Sequence, residues 1–262
     1  MFICPICKKT LIKKENKLVC LLNHSFDFAR QGYVNLLPVS GKKSKAPGDN
    51  EIMTEARREF LSSGHYYPLL LKLKEIIEKK SPEVLVDAGC SEGYYTQNIS
   101  EEVKSVYAFD ISKTAVKLAS QKDKKTNYFV ASSFHIPLKS NSVDIITKIF
   151  APDSPEEFGR ILKSDGILIE VIPSTRHLLE LKEKLYEKVY LNKVDEPKKK
   201  GFFLGEEIEI EYKFKPSKEE RQNLYKMTPY YYKTEINGQN KLLEEEEFEI
   251  TAHFILRIFQ KG

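Results

Sequence analysis

Three of the four cysteines in this 262-residue chain lie within its first 20 residues, and their spacing constrains the fold more than any other feature. Cys4 and Cys7 are separated by two residues, and Cys20 and His24 are separated by three. Two short loops of this kind can place three thiolates and one imidazole around a single tetrahedral ion. That donor set suits zinc and leaves no open coordination position. We therefore predict a structural zinc site with these four ligands.

The segment around this site is too small to bury a hydrophobic core of its own, so bound metal would supply part of its folding free energy. Disulfide pairing is the alternative, and an odd number of nearby cysteines makes it the weaker one. We expect a zinc-binding module at residues 1–37, a linker and helices at 38–80, and a larger domain at 81–262.

Basic residues are concentrated at the start of the chain. The first 50 residues hold nine Lys or Arg and three Asp or Glu, a balance of +6, which leaves 33 basic against 35 acidic residues elsewhere. A basic module on a near-neutral domain is typical of an enzyme that binds nucleic acid, although solvated lysines alone would give the same pattern. The longest apolar runs are far shorter than a membrane span, so we expect a cytoplasmic protein with no membrane partner.

Short apolar strands alternate with helices through the middle of the chain, which predicts an α/β fold with a parallel sheet covered on both faces. The predicted strands are EVLVDAG, SVYAFD, NYFVAS, VDIITKIF and GILIEVI. Two later strands, EEIEIEYKF and FEITAHFILRIFQ, are predicted to close the sheet with a hairpin. The segment TRHLLELKEKLYEKVY is predicted to be a helix, and so is NEIMTEARREFL, with Asn50 as its cap.

The first strand leads into a turn, VLVDAGCSEGYYT, that has the features of a cofactor-binding loop. Gly89 allows a tight turn, and Gly93 lets the backbone approach a ligand before the next helix. Asp110 closes the second strand, where a carboxylate can accept both hydroxyls of a ribose. Glu92 within the turn is unfavourable for a phosphate and favourable for a cationic amino-acid group. These features favour S-adenosylmethionine, with a dinucleotide and no ligand as the alternatives.

Two further features of the sequence bear on this predicted cofactor site, one in its favour and one against it. The strand NYFVAS continues into SFHIPL, which places Ser132, Ser133 and Phe134 at the rim where an adenine ring would lie. Ser91 stands where a three-glycine fingerprint has its middle glycine, so the glycine pattern alone is a weak signal.

Several segments, in chain order, closely resemble the RlmA family of 23S rRNA (guanine-N1)-methyltransferases. They are the zinc motif, HSFDFARQGYVNLLP, PGDNEIMTEARREFLSSGHYYPL, DAGCSEGYYT, ASSFHIPL, IFAPDSPEEFGRILKSDG and PSTRHLLELK. The resemblance extends from Cys4 to about Lys182. It implies a Rossmann-like class I methyltransferase sheet behind the zinc module, and an enzyme that uses S-adenosylmethionine to methylate N1 of a guanine in the hairpin 35 region of 23S rRNA.

The resemblance also implies roles for particular residues of this chain. It implies the same zinc ligands, and cofactor contacts at Tyr66, Gly93, Tyr94 and His177. It implies a homodimer whose paired zinc modules help to form a basic RNA-binding cleft. Ser91 departs from the more usual glycine of the family. The alternatives are a methyltransferase for another RNA or a small molecule, and a non-catalytic zinc-containing RNA-binding protein.

The substrate side is less defined by the sequence. The loop IFAPDSPEE follows a predicted strand and should face the transferred methyl group, with Phe150 and Pro152 stacking on a flipped base. The zinc module and the basic linker PVSGKKSKAPGDN are expected to hold the RNA. The sequence identifies no residue that accepts the N1 proton and does not indicate which guanine is modified.

Overall fold

The structure, a computed structural model, describes residues 1–38, 48–232 and 247–262. The basic part of the predicted linker, residues 39–47, lies outside the described residues. A three-stranded antiparallel sheet forms the N-terminal module. Its strands, in spatial order, are β1 (Leu11–Lys14), β2 (Lys17–Cys20) and β3 (Ser25–Asp27).

A second sheet of eight strands forms the body of the protein. Its strands are β4 (Val34–Asn35), β5 (Val84–Ala88), β6 (Ser105–Asp110), β7 (Asn127–Val130), β8 (Val143–Ile149), β9 (Leu162–Pro173), β10 (Phe202–Phe214) and β11 (Ile250–Lys261). The spatial order is β10-β11-β9-β8-β5-β6-β7-β4. The pairs from β9 across to β4 are parallel, and β11 runs antiparallel to both of its neighbours.

Seven α-helices lie within the described residues. They are α1 (Glu51–Ser62), α2 (Tyr67–Lys80), α3 (Tyr94–Ile99), α4 (Lys113–Lys122), α5 (Pro155–Ile161), α6 (Leu179–Leu185) and α7 (Lys218–Lys226). The predicted cap of α1 is present, because the Met53 backbone N–H donates to the Asn50 side chain over 3.0 Å. Within the described residues, no helix combines the length and the apolar composition that crossing a bilayer requires.

The five predicted parallel strands all form, and alternate residues of each strand face different cores. On β5, Leu85 belongs to a core shared with α2, whereas Val86 belongs to a core shared with α5 and the N-terminal module. This alternation follows from the two-residue period of a strand and explains why the parallel strands are apolar on both faces.

The two C-terminal strands pair as predicted, but their connection is not a tight hairpin. The segment between them contains α7, and β11 lies inside the sheet between β9 and β10. Every residue of β11 from Ile250 to Phe259 is buried, including the polar residues Thr251, His253 and Arg257. The alternating residues of β10 fit an edge strand, which has one face in solvent.

The long helix predicted over TRHLLELKEKLYEKVY is wrong. Only α6 is helical, and Tyr186 already has extended backbone angles. The reason is tertiary: Asn192 turns the following chain back over the start of α6. Its side-chain N–H group donates to the carbonyl of Ser174 over 2.8 Å, and its side-chain oxygen accepts from Lys182 over 3.1 Å.

The N-terminal module is attached to the main sheet. Strand β4 extends the sheet edge beside β7, although residues 34–35 fall within the predicted zinc module. Phe2 packs edge-on against Phe129 and Tyr107, with ring centroids 5.2 and 5.4 Å apart. The Ile3 backbone N–H also donates to the carbonyl of Pro137. The N-terminal module and the main sheet therefore share one hydrophobic core, and the domain boundary at residue 37 stays a prediction.

Candidate functional site

The four predicted zinc ligands converge at one end of the N-terminal module. Their donor atoms all lie within 4.8 Å of one another. The His24 Nδ1 atom is 3.5 Å from the Cys4 sulfur and 3.4 Å from the Cys20 sulfur, and the Cys7 and Cys20 sulfurs are 3.6 Å apart. A tetrahedral zinc ion separates its sulfur and nitrogen donors by roughly 3.5–3.8 Å. The residues present therefore fit a structural zinc ion.

The same distances exclude the disulfide alternative, because a disulfide holds its sulfurs at about 2.05 Å. All four cysteines are free thiols. Two tight turns carry the ligands, and each has one residue in the left-handed region, Lys8 with φ 61° and Asn23 with φ 59°. The Lys8 N–H donates to the Cys4 carbonyl, and the Asn23 N–H donates to the Cys20 carbonyl.

A cavity of about 840 Å³ opens at the carboxyl ends of the parallel strands. The loops after β5, β6, β7 and β8 line it, together with the end of β9, part of α1 and the segment after α7. In open α/β sheets this edge is where ligands bind. Four of the predicted cofactor residues border the cavity, and Ser132, Ser133 and Phe134 border it where they were expected. The four are Tyr66, Gly89, Asp110 and His177.

The two other predicted cofactor residues lie behind this wall. Gly93 is the cap of α3 and Tyr94 is its first residue, and neither is among the described residues that line the cavity. The Tyr94 ring packs edge-on against Tyr95, which does border it. Contact between the cofactor and Gly93 or Tyr94 therefore stays a prediction.

Backbone geometry explains both glycines of the loop. Gly89 has φ +82°, and a Cβ atom there would lie 2.4 Å from the Ala151 Cβ in the loop after β8. Gly93 has φ +86°, and a Cβ atom there would lie 2.8 Å from the Ala119 Cβ. Any side chain at either position would collide with a neighbouring element in addition to straining the backbone.

Asp110 organises the turn from the second strand. One carboxylate oxygen accepts the Ser91 backbone N–H over 3.1 Å, and the other accepts the Ser112 backbone N–H over 2.7 Å. Ser91 itself has φ +48°, the left-handed angle that the missing glycine would adopt freely. Burial raises the pKa of Asp110, and these two backbone hydrogen bonds oppose that change.

Arg57, on α1, was not predicted as a site residue. Its guanidinium donates to the Ser91 hydroxyl over 2.7 Å and to the Met227 carbonyl over 3.2 Å, and it pairs with Asp49. It borders the cavity. The Ser91 hydroxyl that replaces the usual glycine is therefore a hydrogen-bond acceptor for Arg57. No local sequence pattern distinguishes Arg57 from Arg58, because only tertiary packing brings α1 to this loop.

Asp87 is a buried carboxylate at the end of β5. It accepts hydrogen bonds from the hydroxyls of Thr96 on α3 and Thr147 on β8, so it joins three elements. Burial raises the pKa of Asp87 to about 6, against the lowering effect of the two threonines. A cation bound in the cavity would favour its ionised form.

Tyr66 and His177 form a buried pair on the wall of the cavity. The tyrosine oxygen is 3.4 Å from the histidine Nε2 atom. The His177 Nδ1 atom accepts the His253 backbone N–H over 3.3 Å, so in the neutral ring the proton is on Nε2. Burial lowers the pKa of His177 to about 3. The ring is therefore uncharged at neutral pH and does not repel a cationic ligand.

Phe150 has an unusual backbone conformation for a bulky residue, with φ 53°. Its ring is 45% exposed at the cavity, and it lies nearly parallel to the His177 ring, with centroids 6.2 Å apart. A strained conformation costs free energy and persists only where the surrounding structure holds it, and such residues cluster at functional sites.

Comparisons with known proteins agree with this architecture. The family described as RlmA, N-terminal, a zinc ribbon, matches residues 2–45, and the family described as methyltransferase domain matches residues 86–169. The sheet, the cavity and these matches define the chain as an S-adenosylmethionine-dependent methyltransferase of class I with an N-terminal zinc ribbon.

Relatives identify the family more closely. A 23S rRNA (guanine(748)-N(1))-methyltransferase from Streptomyces fradiae is 34% identical over 70% of this chain and 66% of its own length. Proteins assigned as 23S rRNA (guanine-N1)-methyltransferases are 33% identical in Micromonospora griseorubida and 32% identical in Bacillus subtilis. These matches cover 70% and 71% of this chain, and 68% and 69% of the relatives. The chain belongs to this family, the RlmA-type 23S rRNA (guanine-N1)-methyltransferases.

The zinc assignment can be tested with Cys7→Ser. This variant should lose zinc, because three donors and a hydroxyl bind the ion far more weakly than four. Elemental analysis should give one zinc per chain for the wild type and much less for the variant. Cys90→Ser is the matched control, since Cys90 lies outside the cluster and should leave the zinc content unchanged. Full zinc content in Cys7→Ser would contradict the ligand assignment.

The raised pKa of Asp87 predicts a specific pH dependence of stability. Between its ordinary value of 3.8 and about 6, the folded state binds more protons at this site than the unfolded state does. The free energy of unfolding should therefore fall as pH rises through this window, by about 3 kcal/mol from this group. Denaturant titrations should show this fall in the ligand-free wild type relative to Asp87→Asn. Asp165→Asn, at an exposed position, should show the same pH dependence as the wild type. If the difference in unfolding free energy between the wild type and Asp87→Asn stays constant from pH 4 to pH 7, the pKa of Asp87 is not raised.

Proposed function

We propose that this protein is an enzyme that transfers a methyl group from S-adenosylmethionine to N1 of a guanine in the hairpin 35 region of 23S rRNA. The observation that carries the proposal is the cavity at the carboxyl ends of β5, β6 and β8 in a chain of this family. That cavity brings the cofactor-type loop at Gly89 and Asp110 next to the exposed ring of Phe150. The cofactor and the reacting base would therefore meet inside one cavity.

Residues of the chain supply alignment and charge in this reaction. The cofactor carries an activated methyl group and leaves as an uncharged thioether, so the protein mainly has to orient the reactants and exclude water. We assign Asp110 to the ribose hydroxyls, and Gly89 to the close approach of the loop. We assign Tyr66 and His177 to the wall beside the reacting methyl group. Asp87 lies at the same end and contributes negative charge near a cation.

The base would reach this site only after leaving its stack. Guanine N1 lies on the Watson–Crick edge, so an enzyme must take the nucleotide from a loop or flip it out of a helix. Phe150 and Pro152 both border the cavity. We propose that the Phe150 ring stacks on the guanine and that Pro152 supports it, since base–aromatic stacking contributes about 1–3 kcal/mol.

The RNA beyond the target base would lie on the zinc module. The first 50 residues carry the +6 balance that phosphate binding needs, nine basic against three acidic residues. Apolar side chains at the tips of the zinc turns are exposed, at 61% for Ile6 and 80% for Leu21. We propose a cytoplasmic homodimer in which two such modules face the RNA, and a solution mass near twice 30.3 kDa is expected.

Mass mapping of 23S rRNA tests this function directly. RNA from cells that contain the protein should carry N1-methylguanosine at one position in hairpin 35, and RNA from cells without it should not. The purified protein with S-adenosylmethionine should restore the modification on the unmodified RNA. Absence of the methyl group in both experiments would refute the proposed substrate, and transfer to another RNA would support the alternative enzyme.

Phe150→Ala tests the stacking role. Loss of the ring should lower kcat/KM for RNA by roughly 5- to 150-fold, the equivalent of 1–3 kcal/mol, because the base loses its platform. The dissociation constant for S-adenosylhomocysteine, measured by calorimetry, should stay within about twofold, since the stacking contact contributes to base binding alone.

Phe134→Ala provides the matched comparison. Phe134 is 59% exposed and borders the cavity, and we assign it to the side that would hold the adenine. This variant should weaken cofactor binding and leave turnover at saturating cofactor close to that of the wild type. Equal loss of cofactor binding in both variants would contradict a base-stacking role for Phe150.

A further inference from the structure

Glu92 is a buried acid whose carboxylate makes no hydrogen bond of ordinary geometry within the described residues. Glu92 is 4% exposed, and neither of its carboxylate oxygens has a hydrogen-bond partner within the described part of the chain. Burial raises its pKa, and the charge of Arg57 is the largest effect that opposes this. An unpaired buried carboxylate is costly, so such a group is expected to have a partner in the working state of the protein. Glu92 borders the cavity, where a ligand could be that partner.

Tyr95 presents a second unpaired polar group on the same wall. Its hydroxyl is buried and has no hydrogen-bond partner among the described residues. It lies on the first turn of α3, three residues after Glu92, and it borders the same cavity. A hydroxyl can both donate and accept, so it can complete the hydrogen bonding of either an ammonium or a carboxylate group.

Arg57 provides a fixed positive charge near these groups. Its hydrogen bonds go to Asp49, Ser91 and Met227, and not to Glu92. Its field nevertheless acts on Glu92 and on Asp110, because each of them contributes to the raised pKa of Arg57. The cavity wall thus holds a cation, Arg57, and an anion, Glu92, that interact through their charges but share no direct hydrogen bond.

We propose that this part of the cavity binds the amino-acid end of the cofactor, with Glu92 accepting from its ammonium group and Arg57 donating to its carboxylate. This inference rests on the proposed function and assigns two binding residues to it. A zwitterion matches the pair because each of its charges meets one of opposite sign. A phosphate would lie against Glu92, and a divalent metal ion would lie against Arg57, so neither ligand suits both residues.

Ser91 links two of the residues assigned to the cofactor. Its hydroxyl accepts from Arg57 over 2.7 Å, and its backbone N–H is held by Asp110. Ser91 therefore connects the residue assigned to the ribose with the residue assigned to the carboxylate. The serine at this position fixes the guanidinium and is compatible with cofactor binding.

Calorimetry with matched ligands tests the two assignments on the full-length protein. S-adenosylhomocysteine carries both charged groups, whereas methylthioadenosine has the same nucleoside and sulfur without the amino acid. Glu92→Gln and Arg57→Gln should each weaken S-adenosylhomocysteine binding by about 10- to 150-fold, the range for a hydrogen bond to a charged group. Both should bind methylthioadenosine within threefold of the wild type, which also shows that the pocket is folded.

Two further analogues separate the roles of the two residues. For the analogue of S-adenosylhomocysteine that lacks only the ammonium group, Glu92→Gln should bind as tightly as the wild type does. For the analogue that lacks only the carboxylate, Arg57→Gln should bind as tightly as the wild type does. Arg58→Gln and Glu101→Gln are the controls, because Arg58 pairs with neighbouring acids on α1 and Glu101 is exposed. Both controls should match the wild type for every ligand.

The outcomes distinguish this inference from the proposed function. The assignments are overturned if the wild type binds S-adenosylhomocysteine but each variant loses the same affinity for all ligands, or if neither variant loses affinity. Either result leaves the methyltransferase function in place. Failure of the wild type to bind S-adenosylhomocysteine at all overturns the cofactor assignment itself. The proposal is supported if each variant loses affinity only for ligands that carry the charged group assigned to the substituted residue.

Discussion

The cavity depends on how closely the loop after β5 approaches the loop after β8. A single added carbon at Gly89 would lie 2.4 Å from Ala151, so the two loops are in contact without room for a side chain. Asp87 reinforces this contact, because its carboxylate is shared by Thr96 on α3 and Thr147 on β8. The cofactor side and the substrate side of the cavity are consequently held in one fixed arrangement, which is what in-line methyl transfer requires.

Charge around the cavity is arranged for a cationic ligand. Asp87, Glu92 and Asp110 are all buried or nearly so and border the cavity, and burial raises the pKa of each. His177, which also borders the cavity, is neutral at pH 7, because burial lowers its pKa to about 3. A sulfonium is stabilised in such a field and an uncharged thioether is not. The same electrostatics would therefore favour binding of the methyl donor and release of the demethylated product.

Much of the architecture could be predicted from the sequence because the relevant signals are local. Cysteine and histidine spacing predicted the zinc ligands, and the short apolar runs of β5 to β9 predicted the parallel sheet. The details that escaped prediction depend on tertiary contacts. Asn192 ends the helix α6 early through bonds to Ser174 and Lys182, which no pattern in its own segment reveals.

The same limit applies to the site. Gly89 and Asp110 follow directly from strand ends, and both border the cavity. Arg57 reaches the site from α1, 34 residues before Ser91 in the chain, and only the fold brings them together. Strand β4 is another example, since two residues at the end of the zinc module extend the main sheet.

Each of these interactions has a role in the reaction only if the cavity beside Gly89 holds the adenosyl cofactor. A crystal structure of the protein with S-adenosylhomocysteine tests it most directly. We expect the ribose hydroxyls within hydrogen-bond distance of Asp110 and the adenine beside Phe134. Density for the ligand elsewhere, with the space between Gly89 and Asp110 filled by protein side chains, would contradict it.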